Sequence, residues 1–199
     1  MARRLSYSAR YTHPADKVYS ALASRDMWDA RMKEFRKLTP QSEIVEFISG
    51  DEGLSVTLLQ TIPRTQLPAI AQTVMKKDMV ITRKESLGPL AAGTTDAGTG
   101  GADGGGADGS SADGGGEPAT DGRRAEGTYT ASIPAGPGSL NGWQELFDTE
   151  TGSTNRRTTE VKVFLPFING KLEQLMLVNL VDLFRSEAEF TAGWIDENL

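Results

Sequence analysis

The C-terminal segment carries a helical hydrophobic period too long to be left without a partner surface. Ile168, Leu172, Leu175, Asn179, Leu183, Ser186, Phe190 and Trp194 recur at steps of four and three. Met176, Leu180, Phe184, Glu187, Thr191 and Ile195 widen the same stripe. The pattern predicts one helix starting at Pro166 or Phe167 and running for about eight turns. Asn179, Ser186 and Glu187 interrupt the seam a coiled coil would need. The expected partner is therefore a sheet built by the preceding chain.

That chain supplies strands. Residues 4–11 alternate, with Leu5, Tyr7, Ala9 and Tyr11 on one side and Arg4, Ser6, Ser8 and Arg10 on the other. Pro14 and Asp16 then open a short helix bearing Val18, Tyr19, Leu22 and Ala23. Ser24 or Asp26 caps a second, carrying Met27, Trp28, Arg31 and Met32. Residues 43–49 and 54–59 flank the turn Gly50-Asp51-Glu52-Gly53 and form a hairpin. Residues 76–85 read as the next strand, with Met79 and Ile81 opposite Asp78, Val80 and Thr82. Residues 127–133, 139–148 and 154–164 are joined by short turns and form an antiparallel meander.

Between these two sets lies an acidic glycine-rich tract, residues 91–122. It holds 12 of the 22 glycines and repeats Ala-Asp-Gly at 102–104, 107–109 and 112–114. Such a segment buries too little surface to offset the entropy of ordering it, so it is expected to be a disordered insertion in one domain spanning 1–199. Its spacing matches neither an EF-hand nor a calcium-binding β-roll. The tract contains six acidic residues and no basic ones, which leaves 21 acidic and 21 basic groups elsewhere. No positive field for a nucleic-acid backbone is expected from that balance.

An antiparallel sheet of six to seven strands with one apolar face needs a cover, and the long helix is the element available. The expected class is α+β: a curved sheet around the C-terminal helix, with two short helices after strand one. A curled sheet and a straight helix diverge, which is expected to leave an apolar cavity of roughly 300 Å³ or more. The chain has no cysteine, which excludes disulfides and thiolate chemistry and fits a cytoplasmic protein. No run of roughly 20 apolar residues suggests a membrane span, and no apolar run behind Arg3-Arg4 suggests a secretory signal.

The run Lys162-Val163-Phe164-Leu165-Pro166-Phe167-Ile168-Asn169-Gly170-Lys171-Leu172-Glu173, followed by Glu187-Ala188-Glu189-Phe190-Thr191-Ala192-Gly193-Trp194, resembles the actinobacterial domain-of-unknown-function family numbered 2505. Ser6-Tyr7-Ser8-Ala9-Arg10-Tyr11, Ala15-Asp16-Lys17-Val18-Tyr19 and Ile133-Pro134 are similar as well. The resemblance implies the START/Bet v 1-like (SRPBCC) helix-grip fold, with a hydrophobic tunnel between sheet and helix. Relatives in that superfamily bind lipids, sterols, polyketides or plant hormones, and some are aromatase/cyclases. The family brings no catalytic motif, so no catalytic residue carries over.

The residues expected to face a ligand are Trp28, Met79, Trp143, Leu175, Met176, Asn179, Leu183 and Glu187. Asn179 sits where the period calls for leucine, and Asp78 and Glu187 sit in or near apolar stripes, where a carboxylate must be paired or shift its pKa. The lone histidine, His13, is expected to serve a turn or cap, since its neighbours lack metal-ligand spacing. No cofactor or metal is called for. The leading expectation is binding or carriage of a small hydrophobic molecule. The alternatives are a cyclase or lyase using Asp78 or Glu187 in the same cavity, and an interaction domain without a ligand. The oligomeric state is left open.

Overall fold

Alternation and turn chemistry produce the strands, and their pairing shows which side of each is inward. The structure is a computed structural model, which describes residues 3–37, 41–67, 69–73, 76–92, 122–133, 138–163 and 169–199. The acidic glycine tract falls largely outside these residues. Strands β1 (Arg3–Tyr11), β2 (Gln41–Gly50), β3 (Gly53–Ile62), β4 (Met79–Leu87), β5 (Ala91–Ala92), β6 (Arg123–Ser132), β7 (Gly138–Thr149) and β8 (Gly152–Val163) form one antiparallel sheet. Its order is β1-β8-β7-β6-β4-β3-β2, with the two-residue β5 beside β6 as an addition to the six to seven strands expected. Helices α1 (Ala15–Leu22) and α2 (Arg25–Phe35) follow β1, α3 (Ala69–Gln72) precedes β4, and α4 (Asn169–Asn198) ends the chain. This is the helix-grip topology.

Two turns depend on glycine. Gly53 has φ 114°, and a Cβ there would lie 2.2 Å from the Leu87 carbonyl oxygen. Gly152 has φ 152° and a Cβ would lie 2.0 Å from the Tyr11 carbonyl oxygen. Both therefore fix hairpins whose register sets the inward face.

The inward residues line up in rows across the sheet. Ala9, Asn155, Leu146 and Ala125 form one row, and Tyr7, Arg157, Gln144 and Gly127 the next. Leu5, Thr159, Gly142, Tyr129, Glu85 and Val56 follow, then Arg3, Val161, Leu140, Ala131, Arg83 and Leu58. Helices α1 and α2 close one end of this trough with Val18, Leu22, Met27, Trp28 and Met32, all buried. The Ser24 hydroxyl accepts from the Met27 amide and caps α2, as its sequence position predicts. The Trp28 indole N–H donates to the Leu22 carbonyl at 2.8 Å, so burying that ring leaves no donor unpaired.

The first turn of α1 is completed from far along the chain. Asp148 of β7 accepts from the Ala15 amide at 2.6 Å and from the Arg123 amide at 3.0 Å. A carboxylate at a helix N-terminus is favoured by the orphan amides and the helix dipole, and these bonds outweigh partial burial to hold Asp148 below its usual pKa. At the same end of α1, His13 lies 3.2 Å from Asp196 and Lys17 donates to the Leu199 carbonyl at 3.0 Å. These two contacts tie the close of α4 to the opening of α1.

Helix α4 has 30 residues and is therefore about 45 Å long. Its phase differs from the sequence expectation. Among its described side chains the buried ones are Phe184, Glu187, Thr191 and Ile195, whereas Asn179 and Ser186 are exposed and Leu183, Phe190 and Trp194 are half-buried flanks. The centre of the face is thus rotated by about one residue, roughly 100°. The physical reason is that Glu187 and Thr191 are buried with partners. Counting apolar residues alone moves the centre of the stripe away from them.

Candidate functional site: a buried ion ring beneath the C-terminal helix

Strand alternation carries charge into the interior. On β4, Met79 and Ile81 are followed on the same face by Arg83 and Glu85, which are each about 2% exposed. On β8, Arg157 takes the inward position between Asn155 and Thr159. Helix α4 brings Glu187 down onto them.

The four groups close a ring. Glu85 accepts from Arg83 Nε at 2.9 Å through Oε1 and from Arg157 Nη2 at 3.0 Å through Oε2. Glu187 accepts from Arg83 Nη2 through Oε1 and from Arg157 Nη1 at 2.9 Å through Oε2. Each carboxylate therefore bridges both guanidiniums. Gln144 extends the ring by accepting from Arg157 Nε at 3.1 Å and donating to the Ser86 carbonyl at 3.0 Å. The Tyr129 ring lies under both cations, 5.4 Å from the Arg83 guanidinium carbon and 5.1 Å from that of Arg157. Phe184 covers Arg157 at 4.9 Å.

Burial alone would raise the Glu187 pKa, but Arg83, Arg157 and Arg31 reverse that effect and bring it to about 2. Burial would lower both ring arginines, yet the adjacent glutamates hold Arg83 and Arg157 above their ordinary value. Burial pushes the Tyr129 hydroxyl up. Glu187, Arg83 and Arg157 are thus charged across the physiological range.

A third buried guanidinium stands beside the ring. Arg31 of α2 is 2% exposed and stacks on the Trp28 ring at 4.5 Å. Its Nη2 donates to Thr191 Oγ1 at 2.6 Å, and that hydroxyl donates to the Glu187 carbonyl at 2.7 Å. Arg31 Nε and Nη1 have no hydrogen-bond partner among the described residues.

Two spaces border this assembly. A void of about 10 Å³ lies against Tyr7, Ala9, Tyr11, Arg31, Asn155, Arg157, Glu187, Ala188 and Thr191. That is room for about one water, far below the roughly 300 Å³ expected of an apolar ligand cavity. A groove of about 450 Å³ runs outside it between β1 and α4, lined by Tyr7, Ser8, Ala9, Arg10, Arg185, Ala188, Glu189 and Ala192. Tyr7, Ala9 and Ala188 line both spaces and form the wall between them.

Of the residues expected at a ligand whose side chains are described, only Glu187 reaches this centre. Trp28 is fully buried and supports Arg31 from below. Met79 is half-buried at the start of β4, and Leu183 is half-buried on the flank of α4. Trp143 lies on the convex face between Thr128 and Thr158, 47% exposed, and Asn179 is exposed; neither faces the interior. The side chains of Leu175 and Met176 lie outside the described set. Asp78 is exposed and accepts from the Arg64 amide at 2.9 Å, which is a turn contact.

Sequence reasoning missed Arg31, Arg83, Glu85 and Arg157 as a unit. A partial signal was present for three of them. Arg31 falls on the stripe of Met27, Trp28 and Met32, and Arg83 and Glu85 continue the alternation of Met79 and Ile81. Charges at inward positions on two strands and two helices are each other's counter-ions. Among the described residues, no group of three or more His, Cys, Asp or Glu is placed to hold a metal. Among them, no helix is long and apolar enough to cross a membrane.

Solved structures with a similar outline include that of Ara h 8.0201, at 11% identity over 100% of both chains and TM-score 0.47. Another is norcoclaurine synthase from Thalictrum flavum in complex with dopamine and hydroxybenzaldehyde. It is 11% identical over 100% of this chain and 89% of that one, with TM-score 0.44. In sequence, uncharacterized proteins of Mycobacterium tuberculosis and Mycobacterium bovis are 28% identical over 204 residues, covering 100% of each chain. The family described as "Protein of unknown function (DUF2505)" matches residues 6–115 and 116–195, and this chain, with its strand rows and terminal helix, belongs to it.

Proposed function

We propose that the protein binds a small, largely apolar molecule in the groove between β1 and α4. The observation that carries this reading is the groove of about 450 Å³, within the range of ordinary ligand sites. Its inner wall, Tyr7, Ala9 and Ala188, is also the wall of the buried polar centre. Ala9, Ala188 and Ala192 give an apolar floor with little bulk, while Arg10, Arg185 and Glu189 stand as polar neighbours. A ligand there lies against the grip of sheet and helix with its polar end directed at the wall.

The cyclase or lyase alternative gains no support from its two carboxylates. Glu187 has both oxygens engaged by guanidiniums and a pKa of about 2, so it holds no proton to give near neutrality. Asp78 is exposed and remote from the ring.

The test is a titration with the neutral apolar fluorophore N-phenyl-1-naphthylamine. Saturable one-to-one binding is expected, weakened at least about tenfold by Ala192→Phe, which fills the groove. Binding that does not saturate, or that Ala192→Phe leaves unchanged, would overturn the assignment.

A further inference from the structure

The charge count beneath α4 does not close. Arg31, Arg83 and Arg157 face Glu85 and Glu187, all of them buried. The ring consumes both carboxylates, because each already bridges Arg83 and Arg157. Another buried carboxylate, Glu145, sits on the opposite face of the sheet with Arg124 at 2.5 Å and Arg156 at 2.9 Å. Among the described residues, Arg31 is left with one hydrogen bond, to a neutral hydroxyl.

A buried cation with two nitrogens lacking a partner is costly. Nevertheless Arg31 is held in place by the Trp28 face on one side and Thr191 on the other. Its surroundings match that account: burial pushes its pKa down, the reverse of its two ring neighbours. The space beside it also holds the Asn155 side chain, whose Oδ1 has no partner among the described residues. An amide can turn its NH₂ toward a negative charge, which would make it a further donor.

We propose that the void beside Arg31 is an anion site. It takes one negatively charged atom, either a free halide or one carboxylate oxygen of an apolar acid lying in the groove. The size of the void sets this limit, since about 10 Å³ admits one atom of water size. Water alone would fill the space but leave the charge uncompensated. The carboxylate source rests on the groove-binding reading, because that ligand must reach past Tyr7 and Ala188; the halide source does not.

The experiment has two arms. In the first, crystals soaked in sodium bromide are measured at the bromine absorption edge, and thermal unfolding is compared in sodium chloride and sodium gluconate at equal ionic strength. The halide source predicts an anomalous peak within hydrogen-bonding distance of Arg31 Nε or Nη1, and a higher unfolding temperature in chloride. In the second arm, decanoate is compared with decanol. The carboxylate source predicts stabilisation by decanoate alone.

Arg31→Met and Asn155→Asp are run in parallel. Asn155→Asp places a fixed negative charge in the void, so it should fold, be at least as stable as the parent, and bind either anion at least about tenfold more weakly. A bromide peak that persists in Asn155→Asp marks an adventitious ion only and overturns the site. So does a protein indifferent to both halide and decanoate. The neutral fluorophore titration is independent of Arg31. Failure here with success there removes the anion site and leaves the groove.

Discussion

Two parts of the same trough, its end and its middle, are filled by opposite means. Under α1 and α2, the sheet meets Val18, Leu22, Met27, Trp28 and Met32, a core whose stability comes from apolar burial. One or two rows along, beneath α4, it meets a ring of two guanidiniums and two carboxylates. The first arrangement tolerates approximate shape, because hydrophobic contact is non-directional. The second requires every partner in place, since an unpaired charge there retains its full desolvation penalty. The apolar end makes the fold stable, and the charged middle is where the chain gains directional groups able to discriminate a ligand.

Removal of single partners separates the two regimes most strongly. Glu187→Ala leaves two guanidiniums bridged on one side only and is expected to cost about 3–5 kcal/mol in urea unfolding. Replacing Arg31, Arg83, Glu85, Arg157 and Glu187 together by Met and Leu is expected to be neutral or stabilising by up to about 4 kcal/mol, because no charge is left buried alone. A quintuple variant as unstable as the single one would break the comparison. At the apolar end no such rescue exists. Trp28→Ala is expected to cost about 3–5 kcal/mol whatever accompanies it, through the cavity it leaves. Ser24→Ala removes the α2 cap and should lower stability by about 1 kcal/mol, read as a small shift of the urea midpoint. Trp143→Ala, on the convex face, is expected to change stability by less than about 0.5 kcal/mol. A larger loss would mean that the convex face is covered.

The same contrast decides what a reader of the sequence can see. The hairpin turn at Gly50–Gly53, the meander and the existence of α4 are all legible, because these elements follow hydrophobic period and turn chemistry. The phase of α4 was not. Its buried line passes through Glu187 and Thr191, whose burial is licensed by partners 104 residues away on β4 and 160 residues away on α2. Pairing across such distances leaves no local period. Glu187 stands out as a polar residue on an apolar stripe, but its counter-ions do not, since Arg83 and Arg157 each look like an ordinary strand charge until register turns them inward. Trp143 was placed at the ligand on residue type, while the alternation of β7 sends it outward with Thr128 and Thr158 beside it.

The charged ring is tested most directly by a ¹³C NMR titration of the glutamate carboxyl carbons, with amide spectra recorded at each pH to report folding. The folded pKa of Glu187, about 2, lies below the roughly 4.3 of an unfolded glutamate. Its contribution to stability is therefore fully present above about pH 4.5 and lost as pH falls towards 2. The expected result is a Glu187 carboxyl that stays ionised below pH 3.5 for as long as the fold persists, taking up its proton only near pH 2 or on acid unfolding. A Glu187 that titrates at pH 4.5 or above in the folded protein would contradict the ring, and the positive interior built upon it would fall with it.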